Sequence, residues 1–289
     1  MWAKVWKVTC RQKCSRNNCS AVNVENLNDH FVRISTNLHY KSFEPKFTAS
    51  QNLQFFLEYQ VFRMLNTVKP SAFGLDGLRD WFIRLAAPVF AQLLTHLLNL
   101  SLEQSVVPSQ WKSSCITRNR IAKVSQPRTC SDYRPISVTP ILSRIMEKLL
   151  VKSLLYPVIT EPECRHIFAD QYAYKPTGST TSALISIFQP ITNLLQEHDY
   201  VHLISLDFSK AFDSVRHYSL VSKLAEFALP ECFYNWVIDY IFSRKHQTKA
   251  GNVKSAFRKI NASIIQGSGL EPVSYVFTAC DLRTCVVLI

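Results

Sequence analysis

The sequence predicts an α+β fold. Apolar residues recur at helical spacing in several separate stretches. Shorter apolar runs, bounded by turn residues, stand between some of them, and no regular strand–helix alternation runs through the chain. The length of 289 residues, with 47% hydrophobic and 12% aromatic residues, is ample for a packed core. Only 6 residues are glycine, so few turns are conformationally permissive and each glycine is informative.

Residues 1–50 are polar, Asn- and Cys-containing and without a sustained period, and read as a poorly organised N-terminal linker ahead of a domain over 51–289. Leu53, Phe56, Leu57 and Val61 predict a helix within 52–65. Residues 69–77 are turn-rich. A strong helix is expected from Pro88, a favourable first-turn residue, with Phe90, Leu93, Leu94, Leu97 and Leu98 along one side. Residues 111–134 are basic, with short extended pieces, and Ile141, Ile145 and Leu149 mark a helix to Leu155. Ser179 or Thr180 caps a helix carrying Leu184, Ile187, Phe188, Ile191 and Leu195, which Pro190 is expected to kink or split. Leu203 to Leu206 run as a strand that ends on Asp207. Two further helices follow, one with Leu220, Leu224 and Phe227, the other with Phe233, Trp236, Val237, Tyr240 and Ile241. Gly251-Asn252 predicts a hairpin turn within 246–263.

The formal charge of +12 is clustered. Lys4, Lys7, Arg11, Lys13 and Arg16 precede the first acid, Glu25. Lys112, Arg118, Arg120, Lys123, Arg128 and Arg134 share only Asp132, and the run from Arg244 to Lys259 contains no acid. Such clusters fit either a phosphate-rich partner, through counterion release, or a solvated basic face. The nine cysteines have no zinc-site spacing and are expected to be reduced thiols. No signal peptide is visible, and no uninterrupted apolar run approaches the ~18 residues of a membrane span.

Asp207 is the residue with the clearest chemical potential. A carboxylate delivered to the C-terminal end of a strand can hold a metal ion at a cleft, or it can simply cap the turn that follows. Asp213 lies six residues on and past that turn, so nothing in the spacing puts the two acids on one face.

Several blocks, in order, carry a family resemblance: Gly74-Leu75-Asp76-Gly77, Pro108-Ser109-Gln110-Trp111-Lys112, Ser131-Asp132-Tyr133-Arg134-Pro135-Ile136-Ser137, Glu147-Lys148, Asp170 to Thr180, Leu206-Asp207-Phe208 and Ile265-Gln266-Gly267-Ser268-Gly269-Leu270-Glu271-Pro272. Over roughly residues 66–285 the chain resembles the reverse transcriptase domain of non-LTR, LINE-like retrotransposons. The resemblance implies a right-hand polymerase fold of fingers and palm. It implies RNA-directed DNA polymerisation in an intracellular setting, nucleus or cytoplasm, with an RNA template, a DNA primer and deoxynucleoside triphosphates as partners and no membrane. It implies Mg2+ held by Asp207 and the backbone carbonyl of Phe208. Lys123, Arg134, Phe212, Gln266 and Gly267 fall at nucleotide-binding positions, with Phe212 beneath the sugar. Two departures stand out. The family's prolines are missing between Ile116 and Lys123, and Glu271 replaces a glycine. The chain stops at Ile289, ahead of the family's Ala-Asp-Asp carboxylates, so the last palm strands and thumb are expected to be absent, the two-metal site incomplete and the chain inactive. The rival expectations are a non-catalytic nucleic-acid-binding remnant and an interaction module that pairs through an uncovered palm core.

Overall fold

The computed structural model describes residues 22–46, 54–72, 74–120, 129–208, 211–213 and 215–282. Its architecture is mixed α/β, with a small mixed sheet backed by helices. The central strand is β1 (Ser113–Arg120), paired on both sides. On one side β2 (Tyr133–Val138) runs antiparallel, with Cys115 opposite Val138 and Arg120 opposite Tyr133. On the other, β3 (Lys245–Ala250) runs parallel, with Ser113 opposite Lys245. The expected hairpin is present: Gly251 adopts φ +61 and returns the chain from β3 into β4 (Val253–Lys254). The short β5 (Arg258–Lys259) also pairs with β3.

Residues 24–34, read from sequence as part of an unorganised linker, form helix α1 (Val24–Ile34). Asn23 caps it by accepting from the Glu25 amide at 2.9 Å. Leu27 and Phe31, one turn apart, bury against Ile116 and Tyr133 of the sheet. Asn28 is 0% exposed; it accepts from the Thr248 hydroxyl at 2.8 Å and donates to the Ala256 carbonyl at 3.1 Å. The Asn-rich composition hid a helix whose polar residues are themselves sheet contacts.

Helix α2 (Glu58–Asn66) packs on α3 (Asp80–Glu103). Pro88 does not start α3 but lies inside it, because the buried spacing Ile83, Ala87, Ala91 runs straight through the proline. By length and composition α3 is apolar enough to cross a membrane, yet Ile83, Ala87, Leu98 and Leu102 are buried in the main core. Helix α4 (Ile141–Leu150) continues through a π turn at residues 151–155 into α5 (Tyr156–Thr160). Helix α6 (Thr180–Glu197) is capped by Ser179 as expected, but runs unbroken past Pro190 and has no buried residue. Helices α7 (His217–Ala225) and α8 (Glu231–Ile241) complete the core, with Phe233 and Trp236 fully buried.

Two motif blocks serve local architecture. In the turn at residues 74–77, the Asp76 carboxylate accepts from the Ile141 amide at 3.1 Å and so caps α4 from a distance in sequence. Gly74 permits this docking, since a Cβ there would stand 2.7 Å from the Thr139 carbonyl oxygen. In Trp111-Lys112, the lysine pairs with Asp239 at 2.7 Å, and Asp239 also accepts from the Val107 amide at 2.7 Å.

The strand expected to end on Asp207 is not formed. Residues 201–208 carry no secondary structure, with Leu203 68%, Ile204 83% and Leu206 83% exposed. Apolar content alone does not make a strand; main-chain pairing does, and β1 to β5 pair with one another without reaching this segment.

Asn28→Ala is expected to destabilise the fold by about 1–3 kcal/mol, because the fully buried Thr248 hydroxyl loses its acceptor and the α1 contact to the Ala256 carbonyl is lost with it. Urea unfolding checks this. An unchanged midpoint would show that α1 is an appendage and not part of the sheet's support.

Candidate nucleotide-facing site

The Gln266–Gly269 loop lies between β3–β5 and helix α9 (Glu271–Thr278). It is joined to the 133–150 segment at both ends. The Ser137 amide, on β2, donates to the Gln266 carbonyl at 2.8 Å. The Gly269 amide donates to Glu147 Oε2, on α4, at 2.5 Å. Gly267 sits between these ties at φ +99, where an added Cβ would lie 2.7 Å from the Ser137 carbonyl oxygen. Positive φ and close approach therefore both require glycine here. The loop's own helix adds a third tie. Glu271 Oε2 accepts from the Gly267 amide at 2.5 Å, while the Glu271 amide donates to Ser268 Oγ at 3.0 Å.

The residues singled out from sequence gather around this loop unequally. Gln266 is half-buried, and its Oε1 atom is buried without a hydrogen-bond partner among the described residues. Arg134 lies on β2, exposed, about 10 Å along the strand from Ser137. Phe212 is joined to the segment leading into the loop, its carbonyl accepting from the Ile264 amide at 3.1 Å. Its ring packs against Tyr275 of α9 at 4.9 Å and against Tyr174 at 6.0 Å. Tyr174 belongs to the Asp170–Thr180 block, which holds a tight turn: a Cβ on Gly178 would meet the Tyr172 carbonyl oxygen. Lys123 lies outside the described residues, as do Cys10, Cys14 and Cys19. Asp207 and Phe208 are exposed on the unpaired 201–208 segment.

Sequence reasoning missed two features. Glu147 was noticed only as part of a motif, yet it is fully buried and holds the loop. Its signal was available, since Glu147 lies one turn after Ser143 and falls between Met146 and Leu150 on the apolar side of the helix, where a carboxylate calls for an internal partner. The second is Glu271, singled out only as a replacement for a glycine, which folds back onto the Gly267 amide. Burial pushes its carboxyl up to about 7; the Gly267 amide bond pulls the other way, and the negative charge of Asp213 adds to the rise.

No group of three or more His, Cys, Asp or Glu able to hold a metal ion occurs among the described residues. Asp207 supplies one carboxylate by itself, so the described arrangement does not fit a two-metal centre.

Because the Glu271 carboxyl titrates higher in the folded state, about 7 against an ordinary 4.5, the folded state binds more protons between those values. The stability this contributes is full below about pH 4.5 and is lost as pH rises through about 7. Glu271→Gln removes the titration. The stability of the wild type relative to Glu271→Gln should therefore fall between pH 5 and pH 8, read by denaturant midpoints. Parallel curves for the two proteins would refute it.

Comparison with known proteins adds the family. The family described as "Reverse transcriptase (RNA-dependent DNA polymerase)" matches residues 121–282. The chain is 28% identical to a probable RNA-directed DNA polymerase from transposon BS of Drosophila melanogaster, over 91% of this chain and 29% of that protein. It is 29% identical to the RNA-directed DNA polymerase from mobile element jockey of the same fly, over 73% of this chain and 22% of that protein. It is 27% identical to a Pol polyprotein from the type-1 retrotransposable element R2 of Popillia japonica, over 73% of this chain and 28% of that protein. The chain thus spans less than a third of the length of these relatives. The matched profile covers the strand β2, helix α4, the loop at Gln266 and everything between them, and the chain belongs to the reverse transcriptase family, in the form carried by non-LTR retrotransposons.

Proposed function

We propose that these residues form the fingers and the nucleotide-facing part of the palm of an RNA-directed DNA polymerase, acting on an RNA template and a DNA primer with deoxynucleoside triphosphates. The observation that carries the reading is the Gln266–Gly269 loop, tied through the Ser137 amide to the strand that presents Arg134 and leading into the helix whose Tyr275 packs on the Phe212 ring. Its Gln266 Oε1 is a buried acceptor with no partner among the described residues, suited to a donor arriving with a ligand. The Arg134 guanidinium is always charged and forked, which suits a triphosphate. Phe212 is the ring that would face the sugar. Lys123 is the further cation assigned to the triphosphate.

Reverse transcriptases use divalent metal ions. Asp207, with the Phe208 carbonyl, is the contribution we assign to a magnesium site. These oxygens would hold a divalent cation, whose positive charge would offset the negative charge that develops on the transferring phosphate.

The template–primer would lie along the basic strands. Lys245, Lys254, Arg258 and Lys259 are exposed on β3, β4 and β5. Replacing Lys254 and Lys259 by Gln should weaken binding to an RNA–DNA hybrid. It should also lower the slope of log affinity against log salt by about 1.8, if each lysine neutralises one phosphate. Titrations between low and moderate salt read this, and a slope left unchanged would remove the sheet from the binding path. Absence of any hybrid binding at low salt would sink the polymerase reading itself.

In a polypeptide carrying these residues that extends a primer on RNA, Asp207→Ala should abolish extension and leave hybrid affinity intact. Primer extension with magnesium and deoxynucleotides tests it. Retained extension would dismiss Asp207 as a catalytic residue. Hybrid binding without extension in the unsubstituted chain is the signature of the non-catalytic binding reading.

A further inference from the structure

A buried carboxylate outside the nucleotide-facing surface controls the shape of that surface. Glu147 is 0% exposed, so it cannot meet a nucleotide, a template or a solvent ion. Both its oxygens are engaged within the protein. Ser143 Oγ, one turn earlier on α4, donates to Oε1 at 2.7 Å, and the Gly269 amide donates to Oε2 at 2.5 Å. The two bonds reach different layers: one locks the carboxylate's rotation against its own helix, the other reaches across 122 residues of sequence to the loop. The approach is close. A Cβ on Gly269 would stand 3.0 Å from Glu147 Cβ and 3.3 Å from the Lys148 amide nitrogen. Arg144 and Lys148 on the same helix supply the compensating positive charge. The buried Tyr240 ring lies against the same carboxylate and Ser268, and burial together with the Glu147 charge raises its phenol pKa.

We propose that Glu147 is a positioning residue for the Gln266–Gly269 loop: its buried carboxylate fixes the Gly269 end while the Ser137 amide fixes the Gln266 carbonyl, and the two together set where the Gln266 side chain points. This rests on the reading of that loop as nucleotide-facing. The reasoning is geometric. A glycine-containing loop of four residues has wide conformational freedom, and tying both ends removes most of it. A charged acceptor makes a stronger bond to a backbone amide than a neutral one. Burial also removes water as a competitor.

Hydrogen exchange on the full chain, read amide by amide, tests the tie directly. Glu147→Leu keeps the volume and removes the acceptor. It should speed exchange at Gly269 on the order of 10- to 100-fold, the effect of losing a hydrogen bond to a charged group, and leave Thr248 and Ser255 unchanged. Glu147→Gln still presents a carbonyl oxygen to the Gly269 amide and should restore part of the protection, between the leucine variant and wild type. Ser143→Ala frees the carboxylate to rotate and should give an intermediate rise at Gly269, which decides the matter if the leucine variant does not fold. Unaltered exchange at Gly269 would overturn the proposal, as would an equal rise at every amide or a glutamine variant that behaves like the leucine variant. The nucleotide reading is judged separately. With an RNA–DNA hybrid bound, the leucine variant should hold the complementary deoxynucleotide about 10-fold more weakly at unchanged hybrid affinity. A loosened loop with unchanged nucleotide affinity leaves the tie standing and removes the nucleotide role of the loop.

Discussion

The buried guanidinium of Arg244 is the tie on which the arrangement of sheet and helices depends. It is 2% exposed and pairs with no carboxylate among the described residues. Instead it donates to the Tyr240 carbonyl at 3.0 Å, at the C-terminal turn of α8, and to the Trp111 carbonyl at 3.1 Å, just before β1. Its charge lies 4.4 Å from the Tyr240 ring centroid. Helix C-terminal carbonyls carry partial negative charge, so a cation there is stabilised without an anion. By holding Trp111 beside residue 244, Arg244 starts β1 and β3 side by side, and the parallel register from Ser113 and Lys245 follows. Removing the arginine would leave two buried carbonyls unmet and the parallel pair without its anchor.

From that anchor the constraint passes inward. The ring that stacks under Arg244 is the one packed against Glu147, and Glu147 holds the Gly269 amide. The sheet, the helix behind it and the loop at Gln266 are thereby joined through the Arg244 guanidinium, the Tyr240 ring and the Glu147 carboxylate. Such a chain is stiff because any member that moves leaves a group unsatisfied in a dry environment. A loop that must present a side chain to a ligand in one pose benefits from that stiffness.

Much of this was legible in the residues. The glycines at 74, 178 and 267 were singled out within motifs, and each proves to be a place where a Cβ would strike a backbone oxygen. Local chemistry of that kind is written in single residues. The helices of the core followed from their apolar spacing. What escaped depends on distant partners. Helix α1 was hidden because Asn28 looks like a loop residue until Thr248 and Ala256 are seen around it. The start of α3 was misjudged because proline's first-turn preference was given more weight than a periodicity that continues on both sides of it. The segment ending on Asp207 reads as a strand by composition, yet β-structure is a property of two chains of backbone and not of one. Lone Asp207 and buried Glu147 show the same asymmetry: the motif marks both carboxylates, but only packing tells which one is internal.

The bare segment from Leu203 to Phe208 has a consequence for handling the protein. Leu203, Ile204, Leu206 and Phe208 are open to water, and the segment's main-chain groups are not engaged in the sheet. A stretch of that kind welcomes any extended polypeptide that can lie alongside it, including the same stretch of a neighbouring molecule. Self-association through it grows with concentration, whereas the folded core is indifferent to concentration. The net charge of +12 opposes such association by mutual repulsion, while the exposed segment favours it.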